Sequence, residues 1–389
     1  MRQAQVSGFS SCFVRAAVAA FLGTLFAIPS FGQGDAHSVD KPKRPQEEAI
    51  AASPLPYREE SVAFDNSAAS GVRLAETLTL PARAGPFPAV LLIAGSGRND
   101  RDEPIRNSDG TPSGHKPMLV MADALTRQGY AVLRYDKRGV GKSSGDYGAA
   151  TTMDFASDAR AAIAYLRSRP DIDGARIAVI GHSEGATIGG LLAADDPTIA
   201  CVVMMAPFAE PGKLLVAEQN RRNAIAKGEA AAEAAQTYAL NLKLYDAIAA
   251  SKDLPDAEMR VVKILAAANP PPDKAEVHEA LLFARLPMMR FILAYDPRPS
   301  LAGVRVPVLA LGGTKDLIGL PDVNLPALRK TLVHDADVTV VMMPGLNHFF
   351  QHADTGLNSE MSAIEETLAP EVLATIIPWL GKHTEAGVR

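Results

Sequence analysis

Gly181-His182-Ser183-Glu184-Gly185 is the stretch of this sequence whose residue types and spacing most directly imply a chemistry. A hydroxyl that must project from a turn needs neighbours without bulk, and glycine, lacking a Cβ, also tolerates backbone conformations that other residues resist. Three fixed positions in five recur by chance, so the surroundings decide. The β-branched run 176–180 (RIAVI) precedes the pentapeptide and the small-residue run 186–194 follows it, which predicts a strand-to-helix turn carrying a nucleophilic Ser183.

An unaided serine hydroxyl is a weak nucleophile, so a base must stand within hydrogen-bond reach and a carboxylate must orient that base. In the arrangement that accompanies such a turn, the acid and then the histidine follow the serine along the chain. The histidines after Ser183 are His278, His334, His348, His352 and His383. His348 follows the apolar run 338–343 through Pro344-Gly345-Leu346-Asn347, a loop able to carry it over the head of a sheet, and is the first choice. His352 is the second. His278 falls in a helical stretch, His334 ends a predicted helix and His383 lies in a polar tail, so each reads as a surface residue. Asp316 closes Gly312-Gly313-Thr314-Lys315-Asp316 directly after the apolar run 306–311 and is the expected acid. Asp322 is the fallback, since Pro321 beside it marks a helix start.

The tetrahedral intermediate of acyl transfer carries an oxyanion, which needs two donors; removing one from such a site costs about 3 kcal/mol of barrier. One is expected from the backbone of Glu184, next to the nucleophile. The other is expected from Gly95-Ser96-Gly97, the turn after the first buried strand, with the Ser96 amide as donor and Gly97 beside the substrate.

These residues need elements to hold them at one end of a sheet. The runs 89–93, 131–135, 177–180, 201–205, 306–311 and 338–343 are short and almost wholly apolar, as strands buried on both faces are. Helical stretches at 118–127, 153–168 and 370–380 interleave with them, which predicts an α/β fold: a three-layer sandwich around a mostly parallel sheet. Residues 61–64 and 72–80 read as an antiparallel opening. Between residues 208 and 300 no strand is predicted; alanine-rich pieces at 224–250 and 258–268 read as helices interrupted by Pro270, Pro271 and Pro272. This insertion is read as a helical lid over the site, with a helical layer remote from the chemistry as the alternative. Met288, Met289, Phe291 and Tyr295 are the residues expected to line an acyl pocket there, or else to serve as helix packing.

The chain has 389 residues, 47% of them hydrophobic, enough for a large buried core. A formal net charge of -5 argues against a nucleic-acid partner, which requires a basic surface. Arg2 and Arg15 precede the apolar run 16–31, which has the small residue Ser30 near its end and is followed by Gly32 and Gln33. Residues 1–32 therefore read as a signal peptide, with an uncleaved membrane anchor as the alternative; an exported (periplasmic or secreted) protein is expected either way, without stable membrane association if the segment is removed. Residues 33–56 read as a flexible leader and 57–389 as the folded domain. Cys12 falls in the signal segment; Cys201 stands alone in an apolar strand, where burial argues against nucleophilic use.

Four stretches together resemble exported esterase-like α/β hydrolases, related to dienelactone hydrolases and the prolyl-oligopeptidase catalytic domain. They are Gly95-Ser96-Gly97 with residues 99–103 (NDRDE), residues 134–143 (RYDKRGVGKS), the Ser183 turn, and Leu346-Asn347-His348. The resemblance covers about residues 57–385. It implies hydrolysis of carboxylic esters, with neither metal nor organic cofactor; two-step acyl transfer through an acyl-enzyme on Ser183, with a small-molecule ester as substrate, is the mechanism expected from the residues. Arg98 stands where such proteins often have proline, and the stretch 286–297 lacks an aromatic near its start; both bear on substrate preference rather than on the triad. The run 136–143 is read as a structural turn. A peptidase acting on short peptides is the rival, which would need an acidic residue such as Glu210 or Asp296 to face the site; a catalytically silent binding module is the third reading.

Overall fold

The computed structural model describes residues 43–107, 109–332 and 337–385. The predicted signal segment, the first part of the leader and His334 lie outside these residues. Two compact units are present, a sheet unit that includes residues 43–212 and 296–385 and a helical unit of Lys213–Tyr295.

The sheet unit opens with helix α1 (Pro45–Ala51) and strands β1 (Tyr57–Asp65), β2 (Arg73–Pro81) and β3 (Phe87–Ile93), then α2 (Pro117–Arg127), β4 (Ala131–Tyr135), α3 (Thr152–Ser168), β5 (Ile172–His182), α4 (Glu184–Asp195) and β6 (Cys201–Met205). The helical unit holds most of α5 (Gly212–Ala226), then α6 (Ala231–Ala249), α7 (Leu254–Ala266), α8 (Lys274–Arg285) and α9 (Pro287–Ala294). The sheet unit resumes with α10 (Arg298–Leu301), β7 (Val308–Gly313), α11 (Pro321–Thr331), β8 (Val338–Met343), α12 (Asn358–Met361) and α13 (Pro370–Thr384). Eight strands form one sheet in the order β1-β2-β4-β3-β5-β6-β7-β8. β1 pairs antiparallel with β2, and β2 with β4; every other pairing is parallel. This is the α/β-hydrolase fold.

Strands β3, β4, β6 and β7 are apolar because both faces are covered. α2 and α13 share one core with them, built on Val90, Leu92, Met118, Ile180, Val203 and Ile376, while α3 and α4 pack together and against β5. Each such aliphatic side chain, fully buried, contributes about 1.5–3 kcal/mol. β8 lies at the sheet edge and is only half buried. α3 starts where Thr151 donates its backbone N–H to the Asp154 carboxylate at 2.9 Å, and α2, α11 and α13 each begin with a proline, whose missing N–H is no loss at that position.

Strand order reverses around β3: the chain steps from β3 to β4 on one side and reaches β5 on the other. The crevice outside the carboxyl ends at such a reversal is where open α/β sheets bind ligands. Register brings the relevant ends together, with Ile93 opposite Gly181, His182 opposite Met205, Met205 opposite Leu311, and Gly313 opposite Met343.

The leader expectation is corrected in part. α1 forms within it, and Arg44, 6% exposed, donates to the carbonyls of Ser113, Ile364 and Ser362 at 3.0, 3.2 and 2.6 Å. Gln46 and Glu47 add bonds to Leu368, Thr367 and Lys116. These polar ties to distant backbone replace the apolar stripe whose absence had suggested flexibility. β7 also starts two residues later than the apolar run, since Pro307 offers only its carbonyl, to Val202.

One inward position contradicts its strand. Glu76 shares a face of β2 with Leu74, Leu78 and Leu80, is 1% exposed, and neither carboxylate oxygen has a hydrogen-bond partner. Burial, partly offset by Arg101 and reinforced by Asp136, pushes its pKa up to about 9. The folded protein thus holds a proton here that the unfolded chain releases, so stability is greatest below the ordinary carboxylate range and falls as pH rises toward about 9. Glu76→Gln is expected to remove that fall: in urea unfolding, the variant should gain on the parent by up to about 1.4 kcal/mol per pH unit between mildly acidic and mildly alkaline buffer. A pH-independent difference would contradict the assignment.

Candidate active site

Ser183 stands between β5 and α4 with φ 54° and ψ -115°, a left-handed conformation that a non-glycine residue adopts at a cost of about 1–3 kcal/mol. Its N–H bonds to Met205 O at 2.8 Å, which fastens the turn to the end of β6. The flanking glycines are required by contact. A Cβ on Gly181 would collide with the backbone of Gly185 and Ala186, and one on Gly185 with the Ile93 carbonyl.

Two further loops bring Asp316 and His348 together. His348 Nδ1 lies 3.0 and 2.9 Å from the two Asp316 oxygens, with both residues buried. Asp316 Oδ1 also accepts the amides of Ile318 and Gly319 at 2.8 and 2.7 Å. Burial alone would raise the Asp316 pKa; the His348 charge, its hydrogen bond and the two amides outweigh it and hold the carboxyl below its ordinary range. The His348 loop is built on Asn347, whose Oδ1 accepts the amides of Phe349 and Gln351, each at 3.0 Å. Lys315 N–H to Leu346 O, at 2.9 Å, ties the two loops to each other.

The alternatives lie elsewhere. His352 is exposed between Glu366 and Glu371, at 2.9 and 3.0 Å, and the Glu366 hydrogen bond raises its pKa. Asp322 is exposed in the first turn of α11, the helix start that Pro321 had suggested. His278 is exposed on α8. His383 is a correction: α13 extends to Thr384, so this ring is 3% exposed, stacked 4.1 Å from Trp379 and bonded to Asp337 at 2.9 Å.

Beside Ser183, the amides of Ser96 and Glu184 donate to no other group among the described residues, whereas the Gly95 amide is taken by Glu103 Oε1 at 2.5 Å. Gly97, at φ 108°, allows the tight bend of this loop. Asn99 Nδ2 braces it from below with bonds to Gly95 O and Ser96 O, both 3.0 Å. The sequence reading used Glu184 for its amide alone and missed its side chain, which bonds Lys137 Nζ and Thr152 Oγ1, both at 2.8 Å. Lys137, 2% exposed, also donates to Gly95 O at 2.6 Å and lies 4.6 Å from the centre of the Phe155 ring. A lysine inside an otherwise polar turn gave no sign that it would fasten the two loops carrying the free amides. Its neighbour Asp136 is structural: the carboxylate accepts the Arg101 guanidinium at 2.9 and 2.8 Å and the Lys142 amide at 3.0 Å.

Cys201 is buried at the start of β6, and burial pushes its thiol far above the range in which a thiolate forms. In the helical unit Met288 is buried on α9, and the Phe291 and Tyr295 rings stack at 5.1 Å. Asp296, one of two acidic residues weighed for amine recognition, is bound by Arg298 at 2.8 and 2.6 Å, and the Arg298 hydrogen bond lowers its pKa.

The model of the family "Serine aminopeptidase, S33" matches residues 117–352. Esterase EstD of Thermotoga maritima is 34% identical over 142 residues, which cover 36% of this chain and 32% of that protein, so the chain spans about a third of that relative's length. An uncharacterized 31.7 kDa protein of Escherichia coli is 25% identical over 267 residues, covering 67% of this chain and 84% of its own. Among solved structures, the Pyrococcus furiosus esterase Pf2001 is 16% identical with a TM-score of 0.49, covering 91% of this chain and 96% of that one.

The glycine contacts predict opposite outcomes for one substitution at two places. Gly185→Ala must displace backbone and is expected to lose about 3 kcal/mol, the upper end for an overpacked site, in urea unfolding. Gly381→Ala, in the interior of α13 with nothing within 4 Å of the new Cβ, is expected to gain about 0.5–1 kcal/mol. Equal effects would contradict the close approach at the turn.

Proposed function

The chain belongs to the serine aminopeptidase S33 family of α/β hydrolases, and from that premise we propose that it hydrolyses small carboxylic esters through an acyl-enzyme on Ser183. The observation that carries the reading is the buried Asp316–His348 pair, held at the carboxyl end of the same sheet that presents Ser183 on a strained turn. Ser183 Oγ attacks the carbonyl while His348 Nε2 takes its proton. Asp316 accepts the Nδ1–H bond, fixes the tautomer and stabilises the imidazolium. The amides of Ser96 and Glu184 receive the oxyanion, and the collapsing intermediate expels the alcohol with the proton from His348. Water, deprotonated by the same imidazole, then releases the acid.

Preference for an ester over a peptide rests on the acidic residues. Recognition of an amino terminus needs a carboxylate left over for it, and Asp296 is engaged by Arg298. The aminopeptidase reading is kept alive by the family's name; Glu210, the second acid weighed for it, lies within electrostatic reach of Arg298.

Assay of p-nitrophenyl esters beside amino-acyl anilides separates the two: ester turnover is expected, and cleavage of anilides alone would overturn the ester assignment. Ser183→Ala should abolish labelling by a fluorophosphonate, and undiminished labelling would reject the nucleophile. Asp316→Asn should lower kcat by about 10⁴-fold while leaving the fold intact by circular dichroism.

A further inference from the structure

The acyl-transfer scheme leaves unused a buried histidine next to the nucleophile. His182 Nδ1 lies 2.8 Å from Glu103 Oε1, and its Nε2 lies 2.9 Å from the backbone carbonyl of His348. A backbone carbonyl can only accept, and so can an ionised carboxylate. A neutral imidazole carries a single N–H and can serve one of them; with Glu103 ionised, both bonds form together only when the ring holds two protons. The geometry therefore asks for an imidazolium at this position, with Glu103 as its counter-ion.

The surroundings support that charge state. Glu103 and Asp316 are the acids that act on the ring, His348 is the neighbouring base at 4.8 Å between ring centres, and Phe349 and Phe350 close the remaining sides. Met118, Met121, Met205 and Leu368 line the small apolar cavity that Glu103 and His182 share. Burial by itself would strip the proton from His182; the Glu103 charge and hydrogen bond, the His348 carbonyl and Asp316 outweigh it and raise the pKa above the ordinary histidine value. Apolar walls strengthen each of these interactions. Glu103 itself sits at φ 52°, a left-handed conformation in a non-glycine residue, and its Oε1 takes the Gly95 amide as well as the ring.

We propose that Glu103 and His182 are positioning residues, a charged clamp that holds the base-bearing loop by the His348 carbonyl and the Ser96 loop by the Gly95 amide. The clamp fixes the spacing of base, nucleophile and oxyanion donors, which are carried by three separate loops. The inference rests on the acyl-enzyme reading of Ser183. It goes beyond that reading because neither residue takes part in the acyl-transfer steps.

The test is Glu103→Gln. Without the anion His182 becomes neutral near pH 8, its Nε2 lone pair faces the His348 carbonyl, and the loop shifts. We expect kcat on p-nitrophenyl esters to fall about 10²-fold near pH 8 with KM little changed, a loss of the size that follows a displacement of about 1 Å. Mild acid should not rescue the variant, because burial keeps the ring from taking the second proton once its counter-ion is gone. A folded variant with full kcat would overturn the clamp. Imidazole ¹⁵N shifts of the parent near pH 7.5 give a readout independent of activity: both His182 nitrogens should be protonated, and a single protonated nitrogen would overturn the proposal even if the variant fails to fold. If the parent is not labelled by a fluorophosphonate, the Ser183 reading fails, while the ¹⁵N result still decides the charge state of the clamp.

Discussion

The carbonyl of Ile93 occupies the space where a side chain on residue 185 would begin, and the rest of the site follows from that close approach. β3 and β5 are neighbours because the strand order reverses between them, and their parallel register sets Ile93 against Gly181. Two chain segments leave the sheet side by side at this point. One turns sharply into α4 and presents Ser183; the other becomes the Gly95–Gly97 loop. Only glycine at positions 181 and 185 lets the backbones come so near, and only such nearness puts amides from both segments around one small volume. The strain at Ser183 is carried by the surrounding sheet, whose central strands are fully buried.

Around that crossing the protein uses buried charges as fasteners. Lys137 with Glu184, Glu103 with His182, and Asp316 with His348 are each paired and almost wholly buried. Such pairs add little net stability over an apolar core, since desolvation offsets most of the attraction, yet breaking one leaves an uncompensated charge and costs about 3–5 kcal/mol. Their worth lies in direction. Lys137 reaches both the Glu184 carboxylate and the Gly95 carbonyl, so the loops bearing the proposed oxyanion donors cannot drift apart without breaking a charged hydrogen bond. Glu76 is the counterexample, a carboxyl among leucines with no fastener and a pKa raised to about 9.

Legibility in the sequence followed the range of the interaction involved. Strands buried on both faces announced themselves as apolar runs, and a helix insertion without strands was visible from the same absence of pattern. The turn at Ser183 was legible because strand, turn and helix are contiguous there. Choosing His348 over His352 needed only the loop length after β8, and the structure sets the first against Asp316 and the second among surface glutamates. Glu103, Lys137 and His182 gave no comparable signal: their partners lie 79, 47 and 166 residues away, so their burial is a tertiary fact. α1 was missed for the same reason, being held by polar bonds to residues more than 300 positions distant. His383 was misjudged because α13 runs past the point where its apolar period fades.

The account stands or falls on where a tetrahedral centre sits when it is bonded to Ser183. A crystal structure of the protein inactivated by a small alkyl phosphonate shows this directly, because the phosphorus takes the place of the attacked carbon. The account predicts a bond from Ser183 Oγ to phosphorus, the phosphoryl oxygen within about 2.7–3.1 Å of both the Ser96 and Glu184 amides, and His348 Nε2 within hydrogen-bond reach of Oγ. A phosphoryl oxygen turned toward solvent, or an adduct on any other residue, would contradict it.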